Sequence, residues 1–293
     1  MGNLAVVNGL SFDIEDWFQV ENLRAAIQRS DWDRMPLRVE ASTRRILALL
    51  AETDTRATFF ILGWVAERLP HLVRDIAAAG HEIACHGYGH ELVYRLTPQA
   101  FHDDLRRAKT LLEDVSGQAV LGYRAPSFSI TRESTWALDV LLDLGFKYDS
   151  SVFPISGHDR YGFAECGTTP FLWPNGLLEI PLAVYKLRGV GLPVAGGGYF
   201  RLFPYQYFRV LLGRINQAGE KFVFYLHPWE LDPEQPRVRV AAGYRFRHYV
   251  NLRKTQARLA RLLRDFRFDR IGVLDLKPRA AMGQWATVGS IAQ

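Results

Sequence analysis

Short apolar runs alternate with longer stretches of helical periodicity along most of this chain. Gly9–Asp13, Ala57–Leu62, Glu82–Cys85, Val120–Tyr123, Leu177–Ala183, Phe222–Leu226 and Ile271–Leu274 read as strands. Between several of them lie helices with legible ends. Thr97-Pro98 supplies an N-cap and a first-turn proline for a helix running to Gly117. Thr131 opens another, stopped by Gly145, and Pro70 to Gly80 makes a third. In Leu252–Phe266, Leu252, Leu259, Leu262, Leu263 and Phe266 form a buried stripe, with Arg253, Lys254, Arg258, Arg261 and Arg264 on the outer face. A solvated face is the plain reading of those arginines, and a peripheral membrane contact the sharper one. This strand–helix alternation predicts an α/β protein with a parallel sheet or barrel.

No internal repeat or low-complexity linker divides the chain. The Gly-, Pro- and Thr-rich stretch at 157–175 reads as a long excursion, so a single domain is expected over 1–293. At 293 residues, with 48% hydrophobic and 23% charged residues, the chain can bury a large core, which excludes a disordered class. The two cysteines, Cys85 and Cys166, cannot build a disulfide framework. No segment has the pattern of a signal peptide or a membrane span, which leads us to expect a cytoplasmic location. The net charge of +5 would suit phosphorylated substrates or anionic surfaces. Nucleic-acid motifs are absent, so no nucleic-acid partner is expected; oligomeric state is open.

Candidate chemistry collects at the ends of the strand candidates, where a barrel gathers its active site. Ser11-Phe-Asp13-Ile-Glu15-Asp16 carries three acids within four positions, an arrangement that asks for a cation or hydrogen bonds. A solvated strand end would also explain it. If the strand persists, Asp13 and Glu15 share a face and Asp16 takes the other. His86-Gly-Tyr-Gly-His90 offers two imidazoles to a divalent metal, although H-x-x-x-H alone is a weak signal and its glycines suggest a tight turn. Tyr123-Arg124-Ala-Pro126 puts an arginine where it could hold a carboxylate ionised, or simply at the surface before a rigid turn. Asp149 and His227 complete the set. Gly196–Arg201 reads as a flexible turn or as a substrate loop with Tyr199 or Arg201 facing its substrate. Trp173 and Trp229 belong either to a cleft or to the core.

Taken in order, these residues resemble the polysaccharide deacetylases of carbohydrate esterase family four, the group with nodulation-factor deacetylase homology. The similarity is carried by Ala57-Thr-Phe-Phe-Ile-Leu-Gly63, by Gly80-His-Glu-Ile83 leading into His86, and by Tyr123-Arg-Ala-Pro126. Phe246-Arg-His-Tyr-Val-Asn-Leu252 resembles the C-terminal extension of a branch associated with exopolysaccharide and exosortase gene clusters, an extension spanning about residues 155–293 here.

The resemblance implies a distorted (β/α) barrel of about seven strands. It implies hydrolysis of the acetamido group of an N-acetylated poly- or oligosaccharide with one divalent ion, commonly Zn2+. His86 and His90 would be ligands, Asp13 the general base and His227 the general acid. Arg124 would hold the base, Asp149 would orient His227, and Ser127, Phe128, Leu226 and Tyr199 would meet substrate. The common pattern has two adjacent aspartates, but here Ile14 follows Asp13, so Glu15 is taken as third ligand with Asp16 as alternate. Competing readings are an O-acetyl esterase or non-sugar amidase on the same scaffold, and an inactive sugar-binding protein.

Overall fold

Val7–Ile14 (β1) is buried along almost its whole length because it lies inside a sheet, with parallel neighbours on both sides. The computed structural model describes residues 6–158 and 160–279. After β1, Asp16 receives the backbone N–H groups of Arg38 and Val39 at 2.8 and 3.0 Å, which seats the start of α1 (Val39–Glu52). Next come β2 (Thr58–Ile61), α2 (Gly63–Arg68), α3 (Pro70–Ala78) and β3 (Glu82–Cys85). They lead into α4 (Pro98–Ser116), β4 (Gly122–Tyr123), α5 (Ala137–Asp143) and β5 (Tyr148–Asp149). Then follow β6 (Phe171–Leu172), β7 (Leu178–Glu179), the hairpin β8 (Val184–Leu187) and β9 (Val190–Pro193), α6 (Gly197–Leu202) and α7 (Tyr205–Gln217). The chain continues through β10 (Val223–Leu226), α8 (Ala242–Tyr249), α9 (Leu252–Asp265) and β11 (Arg267–Asp269).

The sheet runs β10-β1-β2-β3-β4-β5-β7, all parallel, then adds antiparallel β6. β11 pairs with β1 off this path. The seven parallel strands form the expected distorted barrel. Between its two margins the Ala183 N–H donates to the Val223 carbonyl at 3.2 Å, and the Tyr225 N–H donates to that of Ala195 at 2.7 Å.

Several predicted ends are where the side chains placed them. Thr97 caps α4 by accepting from the Ala100 N–H, and Gly117 closes it at φ +67°. α9 buries Leu252, Leu259, Leu262 and Leu263 as expected.

Other predicted elements moved. The strand expected over Leu177–Ala183 shortens to β7, because Pro181 has no N–H to give a ladder. Ile271–Leu274 is not a strand but a 3-10 turn at Ile271–Val273. The strand is β11, four residues earlier, whose alternation is masked by the charged Arg267 and Asp269. The helix expected from Thr131 begins as a separate 3-10 turn at Arg132–Ser134 before α5. β5, only two residues long, went unpredicted.

Candidate active site

β1, β3, β4 and β10 run parallel, so their C-terminal ends bring Asp13, His86, Arg124 and His227 to one end of the barrel. Asp13 and Glu15 come from one strand end; both are buried. Arg124, with no exposed surface, donates from one nitrogen to Asp13 Oδ1 at 2.7 Å and to Ser11 Oγ at 2.8 Å. Its other nitrogens donate to the Ser150 carbonyl and hydroxyl, both at 3.0 Å. The guanidinium is thereby fixed in plane, and Asp13 keeps Oδ2 for other work.

His86 and His90 flank a tight turn rather than a helix, with Gly87 at φ +75° and His90 at +53°. The His86 Nδ1–H donates to the Arg124 carbonyl at 2.8 Å, leaving the Nε2 lone pair free. Burial lowers the pKa of His86 to about 4, so the ring is neutral near pH 7. Oε2 of Glu15 lies 2.6 Å from His90 Nε2, yet makes no hydrogen bond of acceptable geometry. Glu15, His86 and His90 each present a ligand atom within 4.8 Å of the others, all three residues buried. A carboxylate oxygen this close to an imidazole nitrogen puts two ligand atoms where a common cation would be held. The donor set, one carboxylate and two imidazoles, fits a divalent ion with a position left open.

Asp16 is not in this cluster. Its carboxylate accepts from the backbone N–H groups of Trp17, Arg38 and Val39, and burial lifts its pKa to about 6 despite those bonds. It holds the start of α1.

His227 follows β10, with Nε2 at 3.5 Å from Glu15 Oε1 and 3.8 Å from Asp13 Oδ2. Its Nδ1–H donates to Glu230 Oε2 at 2.9 Å, while Arg201 Nε donates to Glu230 Oε1 at 2.7 Å. Burial opposes ionisation of Glu230, but Arg201 and His227 outweigh it and keep the carboxyl below its usual range. Burial likewise opposes a charged His227. Glu15, Glu230 and Asp13 outweigh that too, raising its pKa to about 9.

Asp149 does not reach His227. It accepts from the Ser151 hydroxyl at 2.5 Å, and Ser151 in turn accepts from the Ala125 N–H at 2.8 Å, so Asp149 braces the loop after Arg124. Burial raises its pKa to about 6 beside the equally buried Glu179, whose carboxyl is pushed up further.

A cleft of about 350 Å3 opens over these groups, with Ser127, Phe128, Tyr199 and Trp229 among its walls. Ser127 and Phe128 both hold positive φ, 51° and 55°. Leu226 is fully buried in β10, beside Phe12 in the ladder, and does not line the cleft. Trp173 is buried and bonded to Glu179 instead. Arg201 is buried and lines the cleft, with its donors taken up by Glu230 and by the carbonyls of Arg247, His248 and Val250.

The residues missed in the sequence are Glu230 and the supporting part of Trp229, whose Nε1–H donates to Glu15 Oε1 at 3.0 Å. A signal for Glu230 was present. His227-Pro-Trp-Glu230 is a capping-box pattern, and Glu230 does accept from the His227 backbone N–H at 3.0 Å.

Residues 30–148 match the polysaccharide deacetylase family, and residues 150–274 match a domain of unknown function, DUF3473. Strands from both segments share the one sheet. The peptidoglycan deacetylase of Helicobacter pylori is 34% identical over 113 residues, covering 39% of this chain and 38% of that protein. A peptidoglycan deacetylase-like protein of Gibberella zeae is 38% identical over 104 residues, 36% of this chain and 29% of the relative. A chitooligosaccharide deacetylase of Bradyrhizobium is 30% identical over 99 residues, 34% of this chain and 43% of the relative. The match thus spans less than half the length of each of these relatives. Among solved structures, a Mycobacterium smegmatis protein assigned to the polysaccharide deacetylases superposes with TM-score 0.61 at 21% identity, covering 94% of this chain and 93% of that one. PuuE allantoinase does so with TM-score 0.56 at 17% identity, covering 90% and 87%. Both share the fold. This chain therefore carries a polysaccharide deacetylase family domain, matched over residues 30–148.

Proposed function

We propose that this protein hydrolyses the acetamido group of an N-acetylated sugar in a glycan, releasing acetate, with one divalent ion held by Glu15, His86 and His90. The observation that carries this reading is the convergence of three groups on one cleft. These are the buried ligand cluster, the Arg124-held Asp13, and His227 with its raised pKa. A divalent ion there, Zn2+ by its donor set, would polarise the acetyl carbonyl and lower the pKa of a nearby water.

The protein's own groups then divide the proton work. Asp13, oriented through Oδ1 by Arg124, accepts the proton of the attacking water on Oδ2. His227, its Nδ1–H tied to Glu230, presents Nε2–H and protonates the departing amine. Ser127 at the cleft wall is the backbone candidate for steadying the developing oxyanion. Phe128, Tyr199 and Trp229 supply surfaces for sugar rings. Peptidoglycan and chitooligosaccharide deacetylases among the relatives support an N-acetylglucosamine-type substrate.

Acetate release from N-acetylglucosamine oligomers by the Zn2+-loaded protein, run beside an O-acetylated xylan, tests the reading. Release from the xylan alone would make it an O-acetyl esterase, and binding without any release would leave a sugar-binding protein.

A further inference from the structure

Charge is sharply segregated in the C-terminal half of the sequence. Residues 180–219 contain five Lys or Arg and residues 235–264 contain nine, and neither stretch holds an Asp or Glu. Some of these cations have internal tasks: Arg201 is buried on Glu230, and Arg258 donates to the carbonyls of Arg201 and Phe203. Lys186, Arg188, Arg239 and Arg245 make no ion pair among the described residues and are exposed.

The same segments expose aliphatic and aromatic side chains that a solvated surface would not need. At the tip of the β8–β9 hairpin, Leu187 is 46% exposed and Val190 62%. At the rim of the cleft, Leu202 is 44% exposed and Phe246 57%. The two places are joined by contacts. Tyr199 in the cleft wall stacks on Phe203, Phe203 lies 4.8 Å from Tyr207, and the Tyr207 hydroxyl donates to the Pro193 carbonyl at the base of the hairpin at 3.5 Å. Exposed apolar tips beside Lys186 and Arg188 at the hairpin are thus joined by packed aromatic rings to the exposed Leu202 and Phe246 at the cleft mouth.

We infer that this face docks on an anionic lipid bilayer, with the hairpin tip entering the boundary between headgroups and acyl chains. Arginine and lysine beside the exposed Leu and Val match a surface that is negative outside and apolar just beneath. An anionic polysaccharide would take up the cations and leave the aliphatic tips in water. A second copy of the chain would have to bring one basic face against another. None of the described helices is long and apolar enough to cross a membrane, so the attachment is peripheral. It would hold the cleft mouth, with Leu202 and Phe246, close to the lipid.

Flotation of the purified protein with phosphatidylglycerol-containing vesicles and with phosphatidylcholine vesicles tests this. Wild-type protein should float with the first and not the second, and should be released by high salt. The double variant Leu187→Ser/Val190→Ser, remote from the catalytic groups, should lose about tenfold in partitioning. Lys186→Glu/Arg188→Glu should lose at least as much, with acetate release from soluble oligomers unchanged in both. Failure of the wild type to float, or variants that float as well as it does, would overturn the inference. So would retention on an anionic polysaccharide without vesicle binding, or a dimer that the hairpin variants dissolve.

Discussion

The Nδ1–H of His227 is held 2.9 Å from Glu230 Oε2 by a carboxylate that Arg201 keeps ionised from its other side. An ionised carboxylate only accepts, so the shared proton sits on the imidazole and Nε2 is turned toward Asp13 and Glu15. The expected partner, Asp149, lies in a separate buried network with Ser151 and Glu179.

Glu230→Gln should therefore lower kcat by roughly tenfold to a hundredfold with KM little changed, as is typical when a partner orienting an active-site imidazole is lost. The alkaline limb of the pH–rate profile should also move down. In the proposed role His227 acts as an acid while protonated, so activity should be lost as pH rises through its pKa, about 9 with Glu15 and Glu230 both facing it. A cation on Glu15 takes away part of that field, which makes Glu230 the larger remaining support. An unmoved limb would remove Glu230 from this role.

His227→Ala should cut turnover by about a hundredfold or more while leaving the bound metal in place. Elemental analysis beside the rate measurement separates the two roles. Loss of metal in this variant would make His227 a ligand instead of an acid.

Glu15→Ala should lose the metal, and Asp16→Ala should not. The second change instead removes the acceptor for the Arg38 and Val39 N–H groups, at a cost of about 1–3 kcal/mol in unfolding free energy. Isothermal titration with Zn2+ and chemical denaturation of both variants check the pair. Metal loss in Asp16→Ala with a wild-type denaturation midpoint would reverse the assignment.

His81 predicts a stability slope in mild acid. Its ring is buried and accepts the Ala57 N–H at 3.2 Å, and burial, with Arg56 and Arg270 adding to it, lowers its pKa to about 4. Between pH 6.5 and 4 the unfolded chain binds a proton that the folded one refuses. Its stabilising effect is thus full above 6.5 and lost as pH falls toward 4, up to about 3 kcal/mol. Denaturation midpoints across that range should flatten in His81→Gln if this ring carries the slope. A slope equal to wild type would assign it to other groups.

Local sequence signals and the tertiary structure determined different parts of this protein. Apolar runs, the Thr97 cap and Gly117 were legible because they depend on neighbours a few residues away. The turn between His86 and His90 was legible from its glycines, whereas β1 ends at Ile14 and the Glu15 N–H donates to the Asp13 carbonyl at 3.1 Å, so strand alternation does not by itself place Glu15 beside Asp13. Two-residue strands such as β5 carry too little pattern to be seen, and β11 is identified by the ladder it completes with β1. Which acid stands beside His227 was hinted at locally by the spacing His227-Pro-Trp-Glu230. The closure of the barrel, with Arg201 reaching in from α6, decides for Glu230 over Asp149. Burial completes the division. Once water is excluded, each charge must be met by a specific partner, and those partners come from parts of the chain far apart in sequence.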